Sequence, residues 1–218
     1  MIKSLFIIVV LINSFSSQTC PPADTLVVNE LQNNWSIQYV NNWEGLEIMT
    51  WNVKTFPLSI NSPDFVTEIV SDLLPDVINF QEIIDYNSLQ ILENQLPFYE
   101  FIIITGDEYY GLVIALRKDC VELLNYSTLF NNNDWEFSYR PPLSADLRWT
   151  CGESFLNFEM INVHFKCCDN GFEQRVAASE ILTDYINEKT ENNINLVIAG
   201  DYNDSLTDTP SDNSLLSL

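Results

Sequence analysis

The chain has 218 residues, 46% hydrophobic and 18% charged, so it can bury one large core and we expect a single main domain. Its formal net charge is −22, which argues against tight binding to long nucleic acid, because that affinity comes from Lys and Arg side chains that neutralise phosphates. The charge does not exclude a small phosphorylated ligand, since bound divalent cations can invert the local field.

The first residues carry an export pattern. Lys3 precedes the apolar run LFIIVVLI and then the small polar residues SFSSQ, which predicts a signal peptide over residues 1–18 with cleavage near Ser14-Phe15-Ser16. The apolar run is too short to span a membrane as a settled helix. A lipid anchor on Cys20 is a weaker alternative. We therefore expect a mature domain over residues 19–218 in a secreted, periplasmic or cell-surface protein.

Five cysteines make an odd number, which leaves one thiol over or an external partner. Cys151 and the adjacent pair Cys167-Cys168 fall near predicted neighbouring strands, and a bridge from Cys151 to one of the pair is our first prediction. We interpret it as a structural staple, which export would permit. A zinc site is disfavoured because the chain has no CxxC motif and one His.

The periodicity gives an alternation of strands and a few separated helices. Ser62-Pro63 begins a helix with apolar residues at helical spacing, and Pro75 ends it. Further helices are predicted over 86–95 and 172–188. The predicted strands cover 36–40, 46–53, 76–80, 98–104, 109–117, 121–126, 144–151, 155–164 and 195–200.

The middle of the chain has five successive strands with no helix between them. This pattern favours an α+β protein with two mainly antiparallel sheets packed face to face and helices on the outer surfaces. A doubly wound parallel fold fits less well, because it needs a helix between successive strands.

Four apolar runs end in polar side chains: TWNV in Asn52, VINFQE in Gln81 and Glu82, INVH in His164, and VIAGDYN in Asp201 and Asn203. Taken singly, these residues have ordinary explanations: a turn residue, solvated surface, a hydrogen-bonded core imidazole, or an Asx turn. Taken together at strand ends, they predict one site.

The series TWNV, PDVINFQEI, GLVIALRKD, INVHFK and VIAGDYND resembles the endonuclease/exonuclease/phosphatase superfamily, the DNase I-like fold. The segment HFKCC is similar to the corresponding segment of secreted bacterial members. The resemblance covers about residues 46–210. It implies a four-layer αββα sandwich and a phosphodiesterase or phosphatase that depends on Mg²⁺ or Mn²⁺.

The resemblance also implies roles for the strand-end residues. Glu82 would be the main carboxylate ligand of the cation, with Asn52 beside it. Asp201 would orient or activate the attacking water, and Asn203 would hold the phosphate or the metal shell. His164 would contact the phosphate and stabilise or protonate the departing oxygen, since an imidazole can move a proton near neutral pH.

Three further residues are candidate contacts to the substrate phosphate. They are Arg117, Arg140 and Tyr109, with Tyr110 as an alternative to Tyr109.

The family pattern continues past GDxN into another strand that carries an Asp-His pair, whereas this sequence ends at Leu218 with a single His. We therefore expect a C-terminally truncated domain whose last strand is missing. The leading hypothesis is an exported monomeric phosphoesterase, either a nuclease or an enzyme for a small phosphodiester or lipid headgroup. The alternative is a non-catalytic binding or surface domain on the same fold.

Overall fold

The computed structural model of the protein describes residues 45–104, 111–205 and 207–218. The predicted signal peptide over 1–18, the predicted strand over 36–40 and the candidate residues Tyr109 and Tyr110 lie outside these ranges. No helix among the described residues is long and apolar enough to cross a membrane.

The first sheet has four strands in the order β1-β2-β4-β3 and carries two helices. Strand β1 pairs with β2 in parallel, and β4 pairs antiparallel with both β2 and β3. The strands are β1 (Ile48–Phe56), β2 (Val77–Ile83), β3 (Tyr99–Ile102) and β4 (Val113–Arg117). The helices are α1 (Ser62–Leu73) and α2 (Tyr86–Gln95).

The second sheet also has four strands, in the order β5-β6-β7-β8. The first three are antiparallel, and β8 joins β7 in parallel after the crossover helix α3. The strands are β5 (Val121–Thr128), β6 (Leu143–Cys151), β7 (Ser154–His164) and β8 (Leu196–Asp201), and the helix is α3 (Phe172–Glu191). Each sheet is therefore mixed, with two antiparallel pairings and one parallel pairing.

The core divides into three apolar layers that confirm the predicted sandwich. Between the sheets, side chains such as Ile114 and Leu116 meet Leu147 and Met160. On the outer face of the first sheet, α1 and α2 pack against β2 and β4. On the outer face of the second sheet, α3 packs Ala178 and Leu182 against β7. Two sheets face to face with helices outside give the αββα order.

Strand direction decides where the polar strand ends meet. Because β1 and β2 are parallel, Asn52 lies in register with Gln81 beside Glu82. Because β7 and β8 are parallel, His164 lies in register with Asp201. The carboxyl ends of both pairs therefore reach the same edge of the sandwich.

The predicted disulfide from Cys151 to Cys167 or Cys168 is wrong. Both members of the pair are free, exposed thiols, and Cys120 is a free, buried thiol. The pair lies in the loop that follows β7, beyond the end of the β6-β7 ladder.

Candidate active site

Two carboxylates and one amide form the centre of the site. The Asn52 side-chain nitrogen donates to Glu82 Oε1 at 2.9 Å and to Asp201 Oδ2 at 2.8 Å. Glu82 belongs to the first sheet and Asp201 to the second, so this amide connects the two sheets at the edge where the polar strand ends meet. The sequence-predicted residues Asn52, Glu82 and Asp201 are therefore in direct contact.

A bulge in β1 supplies a backbone donor that the sequence analysis missed. The β1-β2 register shifts between Asn52 and Phe56, and Lys54 and Thr55 adopt positive φ of 44° and 48°. This turn aims the Thr55 amide at Glu82 Oε2, 2.7 Å away. Glu82 itself has φ of 64°, a conformation that costs free energy in a non-glycine residue and tends to cluster at functional sites. No side-chain pattern in the sequence signals a backbone donor.

His164 lies beside both carboxylates and is held by Arg140. Arg140 Nη1 lies 3.1 Å from His164 Nδ1 and 3.5 Å from its Nε2, and Arg140 Nη2 donates to the Phe165 carbonyl at 2.9 Å. His164 Nε2 is 3.7 Å from Asp201 Oδ2 and 3.9 Å from Glu82 Oε1. A guanidinium can only donate, and its contact to Nδ1 is the shorter one, so we assign Nδ1 as the acceptor and place the imidazole proton on Nε2, the nitrogen near the carboxylates.

The electrostatics of the site favour a neutral imidazole. Burial lowers the pKa of His164 to about 4; the positive charge of Arg140 acts in the same direction, and the two carboxylates oppose it. Burial also lowers the pKa of Arg140, against the attraction of Glu82 and Asp201. Within the described part of the chain, the buried Arg140 Nε has no hydrogen-bond partner, so this side chain has a donor to spare.

Asn203 closes the site from the turn after β8. Its backbone amide donates to Asp201 Oδ1 at 2.9 Å, and its side-chain nitrogen donates to the Phe165 carbonyl at 3.0 Å. The Phe165 carbonyl is therefore shared by Arg140 and Asn203. Gly200 permits this arrangement, because a Cβ there would lie only 2.0 Å from the Val163 carbonyl oxygen of the neighbouring strand.

Beneath the site, buried amides connect the two sheets. Gln81 Nε2 donates to Asn162 Oδ1 at 2.7 Å, and Asn162 Nδ2 donates to the backbone carbonyls of Phe80 and Val113. Asn79 Nδ2 donates to carbonyls of the opposite sheet. Gln81 therefore points between the sheets and not into the site. The sequence signal was polar side chains inside apolar strands, which buried hydrogen bonds explain.

The position of Arg117 corrects the sequence-based expectation for it. Arg117 ends β4, and β4 runs antiparallel to β2, so Arg117 lies where β2 begins, roughly 20 Å from Glu82 by the rise of a strand. Its guanidinium pairs with Asp76 at 2.9 Å and donates to the Leu74 carbonyl at 2.8 Å. Arg117 is a buried structural side chain and does not join the site.

The donor set fits a hard divalent cation. Glu82 and Asp201 present carboxylate oxygens on either side of the Asn52 amide, with no Lys side chain paired to either among the described residues. Within those residues no group of three or more His, Cys, Asp and Glu side chains forms a metal cage. Mg²⁺ does not need one, because it is usually held by one or two carboxylates and keeps several waters.

Comparison with known protein families identifies the family of the chain. A profile described as the Endonuclease/Exonuclease/phosphatase family matches residues 49–216, which include all of the residues in contact at the site. The chain belongs to the endonuclease/exonuclease/phosphatase family. A search of curated proteins found no significant match.

Solved structures share the family fold. A D. rerio TDP2 complexed with single-strand DNA product is 22% identical, with a TM-score of 0.58, over 72% of this chain and 60% of that one. A family protein from Bacteroides thetaiotaomicron is 17% identical, with a TM-score of 0.60, over 78% and 66%. The human Nocturnin catalytic domain with bound sulfate is 18% identical, with a TM-score of 0.55, over 74% and 66%.

This chain covers less than two thirds of the length of each of those three structures. At these identities the likeness concerns the fold.

Proposed function

We propose that this chain is an exported phosphodiesterase that depends on a divalent cation, Mg²⁺ or Mn²⁺, and cleaves P–O bonds by attack of water. The observation that carries the proposal is the meeting of Asn52, Glu82, His164 and Asp201 at one edge of the sandwich, within hydrogen-bond or ion-pair distance of one another. Export rests on the signal pattern of residues 1–18.

Each residue of the site would have its own role in the reaction. Glu82 Oε1 would hold the cation, while the Thr55 amide fixes the other Glu82 oxygen. Asn52 would stand beside the cation, with its Oδ1, which accepts from the Lys54 amide at 2.8 Å, as the atom able to ligate. Asp201 Oδ1 accepts from the Asn203 amide and Oδ2 accepts from the Asn52 side chain, and a second lone pair of Oδ2 would orient water. When bound, the cation would polarise the phosphoryl oxygen and stabilise charge on the leaving oxygen.

His164 would donate from Nε2 to a phosphate oxygen. Its ring is fixed by Arg140, and burial with the Arg140 charge keeps it neutral at physiological pH, so Nε2 carries one proton to donate. The unpartnered Nε of Arg140 would offer a further donor to the substrate, and a guanidinium suits phosphate geometry. Asn203 would complete the pocket from the β8 turn.

The test is hydrolysis of bis-p-nitrophenyl phosphate with Mg²⁺ by the wild type and by Glu82→Ala. We expect the hydrolysis rate of the variant to fall by more than about a hundredfold, because replacing a residue that only supports a metal ligand can already lower activity by up to about a hundredfold. Glu100→Ala is the matched control, because Glu100 is an exposed carboxylate on β3. Equal rates for Glu82→Ala and wild type would overturn the assignment.

A titration with Mg²⁺ separates the two functional hypotheses. Binding that Glu82→Ala abolishes, together with turnover, supports the phosphodiesterase. Binding without turnover of any diester supports the non-catalytic binding domain instead.

The substrate is tested by comparing plasmid DNA with the small diester. The TDP2 neighbour holds a DNA product, which supports a nucleic acid phosphodiester, whereas the net charge of −22 supports a small diester or a lipid headgroup. We expect the small diester to be hydrolysed at low salt at least as readily as plasmid. Strong preference for plasmid would favour the nuclease.

A further inference from the structure

Two free thiols lie next to each other in the loop that follows the catalytic strand β7. The Cys168 Sγ lies 2.8 Å from the Cys167 Sγ, and both residues are exposed. At this distance the two sulfur atoms are in hydrogen-bond contact, with Cys168 as the donor. The other free thiol among the described residues, Cys120, is buried, and burial raises its pKa.

We propose that Cys167 and Cys168 form a redox-active dithiol that closes reversibly to a disulfide between the adjacent residues, beside the candidate active site. The reaction partner is a low-molecular-weight disulfide, of the class of glutathione disulfide. Nothing in the catalytic mechanism above uses these thiols.

The exchange balances as two successive thiolate attacks. The Cys167 thiolate attacks one sulfur of the small disulfide, forms a mixed disulfide and expels one small thiol. The Cys168 thiolate then attacks the Cys167 sulfur and expels the second. The protein loses two protons and two electrons, and the small disulfide is reduced to two thiols. Cys167 attacks first because the Cys168 thiol donates a hydrogen bond to Cys167, and this hydrogen bond raises the pKa of Cys168.

The bond would be reversible because its geometry is unfavourable. Consecutive Cα atoms are about 3.8 Å apart, below the usual range of about 4.4–6.8 Å for bridged cysteines. Strained and exposed disulfides are the more readily reduced ones. The pair therefore suits a labile redox site better than the structural staple expected from the sequence.

The loop that carries the dithiol also fixes the site. Arg175 Nη1 donates to the Lys166 and Cys168 carbonyls at 3.0 and 2.9 Å, and the Phe165 carbonyl accepts from Arg140 and Asn203. Cys168 has φ of 72° and ψ of 167°, so the reduced loop is held in an uncommon conformation. Closing the bond would move backbone atoms of Cys167 and Cys168; the Cys168 carbonyl that accepts from Arg175 belongs to this segment, and the Phe165 carbonyl that accepts from Arg140 and Asn203 lies two residues before it.

The first readout is chemical and does not depend on activity. The full chain is equilibrated with glutathione redox buffers, quenched with acid, alkylated and analysed by intact mass and peptide mapping. We expect the loss of two hydrogen atoms and of both alkylation sites in the peptide that contains Cys167 and Cys168, reversed by dithiothreitol. Glutathione adducts on the two cysteines without a bridge, or disulfide-linked dimers, would overturn the proposal.

Single variants provide the matched controls. Cys167→Ser and Cys168→Ser should each stop at a glutathione adduct on the remaining thiol, with no intramolecular bond. If either variant still loses two hydrogen atoms, the bridge involves another cysteine and the assignment is wrong.

The coupling to the site rests on the proposed function and has its own readout. On oxidation we expect the hydrolysis rate to fall about tenfold or more, since displacing a positioning group by about 1 Å can cost as much as a hundredfold. The double variant Cys167→Ser/Cys168→Ser should keep its rate in the same buffers. A bridge that forms without a change in rate would overturn the coupling; an inactive protein that still forms the bridge would count against the proposed function and not against the dithiol.

Discussion

At the residue scale, one amide determines how the site tolerates its own charge. Asn52 Nδ2 donates to both Glu82 and Asp201, so two carboxylates from different sheets share one neutral donor. A hydrogen bond to a charged group contributes about 1.5–3 kcal/mol, and leaving such a group without its partner costs more. Asn52 is therefore a spacer between two negative charges.

Replacing this amide with a third carboxylate tests that interpretation. We expect Asn52→Asp to lower the free energy of unfolding in EDTA by roughly 1–3 kcal/mol, because two hydrogen bonds become repulsions. Mg²⁺ should then raise its unfolding temperature by more than it raises that of the wild type, since binding to the folded state stabilises it. The measurement is thermal unfolding with and without Mg²⁺.

The matched control is Asn132→Asp, which makes the same change in an exposed loop. It should leave the unfolding temperature and its Mg²⁺ response near the wild-type values. An Asn52→Asp protein that behaves like Asn132→Asp would contradict the spacer role.

At the element scale, a buried carboxylate attaches helix α3 to the second sheet. Glu159 on β7 pairs with Lys189 of α3 at 2.7 Å. Its Oε1 also accepts from Ser144 and Tyr185, each at 2.7 Å. Burial raises the pKa of Glu159, but these hydrogen bonds outweigh burial, and the net pKa lies below its usual value. The crossover helix between the parallel strands β7 and β8 is thus held by charge as well as by apolar packing.

The lowered pKa predicts a pH-dependent contribution to stability. A carboxylate whose pKa is lower in the folded state than in the unfolded state stabilises the folded protein. This contribution is complete above the pKa of the unfolded state, near 4.3, and is lost as the pH falls through the pKa of the folded state. Glu159→Gln should therefore reduce the free energy of unfolding at pH 7 by about 2 kcal/mol, with a smaller difference below about pH 4. Urea unfolding of both proteins at several pH values measures this difference in the free energy of unfolding.

Glu180→Gln serves as the comparison, because Glu180 is exposed on the same helix. Its effect should be small at every pH. A Glu159→Gln difference that stays constant down to acidic pH would show that packing, and not charge, sets the cost.

At the scale of the whole molecule, the two sheets are joined at both ends by polar groups. At the end opposite the site, Asp76 of the first sheet accepts from Trp149 Nε1 of the second at 2.9 Å and from the Glu47 amide at 3.0 Å. The same carboxylate pairs with Arg117 at 2.9 Å. At the site end, Asn52 and the Gln81-Asn162 pair join the sheets. The apolar layer between the sheets therefore has a polar connection at each edge.

Two carboxylates on one arginine allow a direct comparison. Arg117 pairs with the buried Asp76 and also with Asp119, whose side chain is 39% exposed. Asp76→Asn should lower the free energy of unfolding by about 3–5 kcal/mol, as expected for breaking a buried pair. Asp119→Asn should cost less than about 1 kcal/mol, because solvent screens that pair. Similar costs in urea unfolding would contradict the proposed connection.

Local patterns in the sequence predicted the helices and strands of the described residues, the two-sheet architecture and the family. Helix α1 starts at Ser62-Pro63 because proline suits the first helical turn, and it ends before Pro75. Each strand-end motif was readable because an apolar run and the polar residue after it are neighbours in the chain. Asn52, Glu82, His164, Asp201 and Asn203 were therefore identified as one set of candidates, and Arg140 was a separate candidate for a phosphate contact.

Only the tertiary structure decided which of those ends share an edge. Arg117 and Arg140 look alike in sequence, but the antiparallel direction of β4 carries Arg117 to the Asp76 end, while the loop before β6 brings Arg140 to His164. The free state of Cys167 and Cys168, the inward position of Gln81 and the Thr55 donor likewise depend on register and backbone turns. Strand direction and register arise from pairing between distant segments, and no local pattern records them.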